Sequence, residues 1–465
     1  MNKQKTTLLF LLFVFFSIHF AFSQEQITLE EFIKIVCKND TVFRQILIDE
    51  LSLKYRKALN IPSGDVVLSI EDKYNLFLES DEAEPQNTVT LSKLFPHTGT
   101  DISTQYKTSV SSSTRAIDSE FSALISQPIA ENAFGRSTRL LDKITGIEID
   151  VARYQVIEAY EDYLATLIQV YLDWYSAYKD LETARNSYNE NTKLLENIKE
   201  RQANKIALPV DVNKISIQVM SKKENLVILE VEYNKYLNLI QKAMRYQDKA
   251  RLMPQSSFLY ENVEIVFDSD YHDFKNQSRT YEILSLLDNK SALSVDRDAD
   301  ALLPSIDLLI GYKLEGDDYN FKDNVGIVYG GLSFEWPFLS QVERAQYETS
   351  KIALDKIRLT NRSVYADLYT TLKNLYDAIE REKKLIVISD EKIALADAIV
   401  VDERKNYSYG KVTLNDLIDE INKLEDNKFN KITHMVQLRK LIIEWMRLTD
   451  VLVTKEKMST LTPNR

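Results

Sequence analysis

Residues 342–420 read VERAQYETSKIALDKIRLTNRSVYADLYTTLKNLYDAIEREKKLIVISDEKIALADAIVVDERKNYSYGKVTLNDLIDE. From Val342 to Tyr409 there is no glycine and no proline. Ala345, Ile352, Ala353, Ile357, Leu359, Val364, Leu368, Leu372, Leu375, Ile379, Leu385, Ile386, Ile393, Ala394 and Ile399 recur at many spacings of 3, 4 or 7. These are the spacings of a coiled-coil seam. Lys, Arg, Glu and Asp fill the positions between, which suits a wall facing water. At 1.5 Å per residue this one helix is about 100 Å long. Globular helices average only about 11–12 residues, so this one needs lateral partners along its whole length.

Outward from that helix, Gly410 breaks it and a further helix is expected over 413–450. On the other side, Pro337 marks a strand exit. Strand texture covers 305–314 and 325–336, where Leu332, Phe334 and Trp336 alternate against Gly331, Ser333 and Glu335. A shorter helix is expected over 278–302, ended by Pro304.

The first half follows the same plan. Thr28 followed by Glu31 is a capping signature opening a helix over 28–60, which Pro62 and Gly64 close. Segments 66–78, 88–95, 100–110 and 119–129 read as strands, with Phe121, Ala123 and Ile125 on one side. Pro128 returns the chain to helix from about Gly135 to Asn204, interrupted only by Gly146. Pro209 breaks that helix, another runs from Asp211 to about Arg251, and 254–275 is expected to form loop and packing elements. Pro128 and Pro337 stand at matching distances before Asp211 and Asp416. The spacing points to two tandem repeats, 24–275 and 276–465.

Composition limits what such a chain can do. Gly (10) and Pro (9) are scarce for 465 residues, so elements must be long and turns few. Lys3 and Lys5 precede an apolar run over 8–22, and Ala21-Phe22-Ser23 supplies small residues for cleavage, so 1–23 is expected to be an export leader. Its removal leaves 56 basic against 70 acidic side chains, a balance unsuited to nucleic acid. Cys37 is the lone cysteine and cannot form an internal disulfide; it reads as a small helix-face residue. No second apolar run is long enough for a spanning helix. Entry into a membrane would therefore use strands, whose lipid-facing residues alternate.

The whole mature chain resembles the TolC-like outer-membrane efflux channels. LPSIDLLIGY at 303–312 resembles that family's strand opening, ALISQPI at 123–129 and LSFEWPF at 332–338 its paired strand exits, and YSYGKVTLNDLIDE at 407–420 its periplasmic helix–turn–helix. The resemblance implies a mainly α protein with a membrane β-barrel portion. It implies a homotrimer whose twelve strands, four per protomer, close one barrel while antiparallel helices form a coiled-coil duct. Strand edges are not tolerated in lipid, so closure by oligomerisation agrees with physics. Trp336 and Phe338 would then sit at the barrel's interface with outer-membrane lipid.

The resemblance also carries a gate. Two acidic residues just after the glycine turn line the family's periplasmic aperture, and they match Asp416 and Asp419; Asp211 is their counterpart in the first repeat. In a trimer, carboxylates about 6 Å apart would repel by roughly 3 kcal/mol per pair at an effective dielectric of 20. Such a ring would attract cations and resist closure. Both acids also have ordinary uses: Asp416 as helix cap to Thr413, Asp419 as ion pair to Lys423. Gly410 and Pro209 are the tip turns. Val412 stands where the family has a basic residue holding the closed state, and Lys205 stands where a glycine is expected, so that lock does not carry over.

Other chemistry is missing from the sequence. There is no phosphate loop, no nucleophile elbow and no metal-ligand spacing. Histidines occur only at 19, 97, 272 and 434, with His97 expected in a turn. No enzyme, cofactor or metal is expected. The expected role is a passive gated conduit from periplasm to exterior, coupled through a periplasmic adaptor to an inner-membrane transporter that supplies the energy. Two alternatives stay open: the duct of a type I protein secretion system, and a periplasmic structural coiled coil.

Overall fold

The computed structural model describes residues 25–77, 82–110, 117–245, 252–255, 264–317, 326–337 and 339–453. The expected leader and Phe338 lie outside these. The chain divides into two compact units, Leu47–Val156 with Arg279–Asp367, and Met1–Ile46 with Ile157–Ser278 and Leu368–Arg465.

The first of these units holds the sheet. Strands β2 (Val66–Phe77), β3 (Glu82–Phe95), β4 (Thr100–Val110), β5 (Ile117–Pro128), β7 (Ser305–Asp317) and β8 (Gly326–Glu335) form one antiparallel sheet in that order. All six strand segments expected from the sequence are present. Among the described residues the sheet nevertheless has six strands, not the four per chain that the resemblance implied. β5 joins the second half directly, with Ile125 opposite Ile310 and Phe121 opposite Leu314.

Register sorts the side chains onto two faces, because strand side chains alternate. One row across the strands reads Leu68, Leu91, Thr104, Ala123, Tyr312, Val328, and the next reads Ile70, Val89, Tyr106, Phe121, Leu314. The opposite face carries Ser69, Thr90, Gln105, Ser122 and Lys313, a row ending at Ile327 of β8, then Glu71, Thr88, Lys107, Glu120 and Glu315. Lys313 bridges Glu120 at 3.0 Å and Glu315 at 2.8 Å on that polar face.

β3 begins earlier than the expected 88–95 and passes through Pro85. The proline lies opposite Tyr74 of β2, while β4 pairs only from Gln86 onward. Its missing N–H therefore faces an unladdered side, where it costs little. Gly311 lies opposite Tyr329, whose ring a Cβ at Gly311 would meet at 2.2 Å, so the glycine makes room for the tyrosine.

The β3–β4 turn, 96–99, confirms His97 as a turn residue. Gly99 (φ +69°) and Gly135 (φ +76°) are both left-handed, and a Cβ on Gly135 would lie 2.3 Å from the His97 carbonyl oxygen. Arg139 Nη1 donates to that same carbonyl at 2.9 Å.

The second unit is built on helices, and further helices belong to the first. Helix α1 (Leu29–Asn39) is opened by the expected capping box, with Glu31 N–H donating to Thr28 Oγ1 at 3.1 Å and Thr28 N–H to Glu31 at 3.0 Å. The single helix expected over 28–60 is instead α1, α2 (Thr41–Leu53) and α3 (Arg56–Asn60). Asp40 causes the first break: its backbone is extended, and its carboxylate accepts the Val42 N–H at 2.8 Å.

Two 68-residue helices, α4 (Arg136–Ala203) and α8 (Gln341–Ser408), are followed by α5 (Pro209–Met244) and α9 (Leu414–Leu448). The expected loop region 254–275 contains the end of β6 (Leu252–Pro254) and most of α6 (Phe267–Gln277). α7 (Arg279–Asp300) fills the expected 278–302. Phe32, Ile168, Tyr171, Leu172 and Trp174 are fully buried, and the Tyr171 hydroxyl donates to the Ile27 carbonyl at 2.7 Å. Ile27 belongs to β1 (Glu25–Ile27), which pairs in parallel with β6. Cys37 is buried here beside the Tyr160 hydroxyl at 3.9 Å, and burial pushes its thiol up, leaving a helix-face residue as expected.

Candidate functional site

The turns that end α4 and α8 have the same construction. A helix stop needs partners for its last carbonyls. Ile206 N–H donates to the Arg201 carbonyl at 2.8 Å and Lys205 N–H to Gln202 at 2.9 Å. Lys411 N–H donates to Asn406 at 3.0 Å and Gly410 N–H to Tyr407 at 3.0 Å. Both sets are the paired bonds of a Schellman stop, which needs a left-handed residue at its centre. Gly410 takes it at φ +73° and Lys205 at φ +61°. Pro209 stands four residues after Lys205 as the first residue of α5. Leu414, four after Gly410, opens α9.

The candidate aperture acids lie in the next helical turn. Asp416 caps α9: Thr413 N–H donates to its carboxylate at 2.9 Å, Thr413 Oγ1 donates at 2.7 Å, and Asp416 N–H returns a bond to Thr413 Oγ1 at 3.3 Å. The Thr413 hydroxyl and backbone together hold this exposed carboxyl below the usual aspartate range. Asp211 does the same job in α5, accepting the Leu208 N–H at 3.2 Å. Leucine offers no side-chain acceptor, so the reciprocal half of that box is absent.

Asp419 is exposed one turn beyond Asp416. Its expected partner Lys423 turns instead to Glu420 at 2.7 Å. The position equivalent to Asp419 in α5 holds Lys214, also exposed. The two helix starts therefore differ in charge although their backbones match.

What sequence reading missed is the clasp between the two helix pairs. Ile198 and Ile215 are fully buried against Leu414 and Ile418, and Ala396 and Val400 against Leu417, Ile421 and Leu424. Polar contacts flank this apolar seam. Arg404 bridges Glu190 at 2.7 Å, Gln218 Nε2 donates to Asn422 at 2.7 Å, and the Arg201 guanidinium lies 5.0 Å from the Tyr407 ring centre. Glu425, nearly buried, takes both Lys222 and Ser187 Oγ at 2.5 Å. None of these pairs has a periodic signal; each is a polar residue on a face otherwise read as solvated.

On the sheet, Trp336 directly follows β8, with Phe334 two residues before it, and both rings are exposed. The neighbouring Leu332, Val328, Ile310, Leu68 and Ile70 are exposed as well. A run of exposed apolar side chains across one whole sheet face is far beyond the scattered apolar residues of a soluble surface. No described helix is long and apolar enough to cross a membrane. Of the other histidines, His434 pairs with Glu382 at 2.8 Å and His272 with Asn276 at 3.2 Å.

No family model and no curated protein matches the chain. Solved structures do. The transmembrane channel CusC shares 11% identity over 92% of each chain, with a TM-score of 0.72. The outer-membrane channel CmeC of Campylobacter jejuni shares 11% identity over 93% of this chain and 89% of its own, at 0.67. The outer-membrane protein VceC of Vibrio cholerae shares 11% identity over 91% and 95%, at 0.66. At such identities the likeness is one of fold, and it spans the helices and the sheet alike. This chain has the fold of the TolC-like outer-membrane channels.

Proposed function

We propose that the chain is the outer-membrane channel of a tripartite exporter, a passive gated conduit from periplasm to exterior. The observation that carries this is the sheet: six strands with one exposed apolar face and one polar, charged face, on a chain whose remaining elements are very long helices. A membrane barrel needs that two-sidedness, with lipid outside and water within. Three copies close the strands and bundle their helices into a periplasmic duct, and the two halves of the chain act as tandem repeats. Trp336 takes the interfacial position on the lipid face.

The aperture is formed by the starts of α5 and α9. Asp416 and Asp419 lie on one helix face, three residues apart, with Asp211 on the other hairpin. Capping and lining are compatible, since Asp416 keeps an exposed carboxylate oxygen edge while holding Thr413. The sequence carries no phosphate loop, so energy is assigned to an inner-membrane transporter acting through a periplasmic adaptor that meets the helical tips. The exported cargo is taken to be small molecules, with whole-protein secretion as the alternative, and the aperture acids give a preference for cationic solutes.

Fractionation of cells expressing the full-length chain tests the assignment. The chain is expected in the outer membrane as a heat-modifiable oligomer, and its deletion is expected to raise sensitivity to small toxic compounds. Recovery in the soluble periplasm would leave the structural coiled coil as the reading. An outer-membrane location with a changed secretome and unchanged drug sensitivity would leave protein secretion.

A further inference from the structure

The sheet edges carry an inference about how copies of this chain meet. β2 and β8 are the two ends of the strand order, and each has a hydrogen-bonded neighbour on one side only. Every residue of β8 is exposed, and so are the described side chains of β2. Open ladders of this length invite pairing with another chain.

The edges are complementary to each other. An antiparallel sheet of six strands begins and ends on strands of opposite direction. β8 of one copy is therefore antiparallel to β2 of the next, as ring closure requires. The apolar face is continuous to both ends, through Leu68 and Ile70 on β2 and Val328, Leu332 and Phe334 on β8. Joining the edges keeps the apolar face outside all round, while the inner side of the junction carries Ser69, Glu71, Ser333 and Glu335 beside Val67 and Ile327.

The four strands β4, β5, β7 and β8 alone would make the smaller wall that the resemblance implied. β2 and β3 have no feature of a hairpin lying off such a wall. They are laddered to β4 over ten residue pairs, from Gln86–Ser109 to Phe95–Thr100, and repeat its apolar and polar alternation in register.

We infer that the β2–β3 hairpin is part of the barrel wall, so that β8 of each copy pairs with β2 of the next and a trimer closes eighteen strands rather than twelve. The inference rests on the channel reading above. With strands about 4.8 Å apart and tilted about 40°, the backbone diameter is about 36 Å, against about 24 Å for twelve strands. The outer mouth is thus about 1.5-fold wider, and selection falls to the helical end.

Cysteine cross-linking in the membrane tests this. Leu68→Cys or Ile70→Cys is combined with Val328→Cys or Leu332→Cys and oxidised with copper phenanthroline. Buried Cys37 is retained, and the chain carrying Cys37 alone is the control. Ladders of linked dimer and trimer are expected from the β2–β8 pairs, and none from Ile102→Cys or Thr104→Cys with Val328→Cys. Ladders from the β4–β8 pairs instead, or from neither, with the protein in the outer membrane, overturn the eighteen-strand wall while the channel stands. A chain absent from the outer membrane overturns both. Because the variants can disturb assembly, an averaged electron-microscopic cross-section of the unmodified chain gives a second reading: about 36 Å supports the inference and about 24 Å overturns it.

Discussion

Lys205 and Gly410 occupy one place in two copies of one turn. Each is the left-handed residue of a paired-bond helix stop, at φ +61° and +73°, and each stands six residues before a capping aspartate, Asp211 or Asp416. A lysine held left-handed costs about 1–2 kcal/mol that a glycine avoids. The first turn therefore keeps the geometry of the second against its own side chain.

Exchange at these two positions should have opposite signs. Lys205→Gly is expected to relieve strain and raise the unfolding free energy by about 1 kcal/mol, less the entropy a new glycine adds to the unfolded chain. Gly410→Ala is expected to lower it by about 1 kcal/mol. Denaturant unfolding of the detergent-solubilised chain reads both. Equal losses would mean that the turns are not built alike.

The aperture assignment predicts a charge effect without a fold effect. Asp416→Asn with Asp419→Asn should reduce cation selectivity and divalent-cation block in planar bilayers, while the amide at 416 still accepts from Thr413. Asp211→Asn should act in the same direction but more weakly, since Lys214 already offsets it. Unchanged selectivity and block in the double variant would leave both acids as surface groups.

The Lys222–Glu425 pair is a clasp at low exposure, so breaking it from one side leaves a charge with reduced solvation. Lys222→Met is expected to cost about 3 kcal/mol, because Glu425 then keeps only Ser187. Lys222→Met with Glu425→Leu should recover most of that loss. A double variant as unstable as the single one would show that packing, and not the stranded charge, sets the cost.

Asp180 gives a pH signature. Burial pushes its carboxyl up to about 6, against a lowering hydrogen bond from Ser176 Oγ at 3.4 Å and with Glu232 adding to the rise. The folded form thus holds a proton that the unfolded chain releases near pH 4. Between about pH 4 and 6 this group makes stability fall as pH rises, and above about 6 the loss is complete. Asp180→Asn is expected to be more stable than the parent at pH 7.5 and equal to it near pH 4. A stability difference independent of pH would contradict the assignment.

Much of this fold could be read from breakers alone. The runs they leave between them, Gly135–Asn204 and Val342–Tyr409, match the two 68-residue helices to within a residue at each end. The six strands were legible for a similar reason, as short alternating runs between turn residues. Their partnership was not. Nothing local in 66–95 says whether that hairpin ladders onto Thr100–Val110, since pairing is a long-range choice.

The site was legible at its caps and not in its contacts. Thr413 and Asp416 announce themselves by spacing, and Lys205 announces a departure whose cost only the backbone angle reveals. Lys423 chose Glu420 over Asp419, a choice between two neighbours that spacing alone leaves open. Glu190, Arg404, Gln218 and Asn422 read as solvated because helix periodicity marks apolar seams and is blind to polar ones.

Reconstitution of the purified full-length chain into planar bilayers asks whether the chain is a membrane channel. Discrete, long-lived conductance steps are expected, preferring cations and reduced by divalent cations from the helical side. A chain that binds no bilayer, or that binds without conducting under any applied potential while its oligomer is intact, would contradict the channel reading.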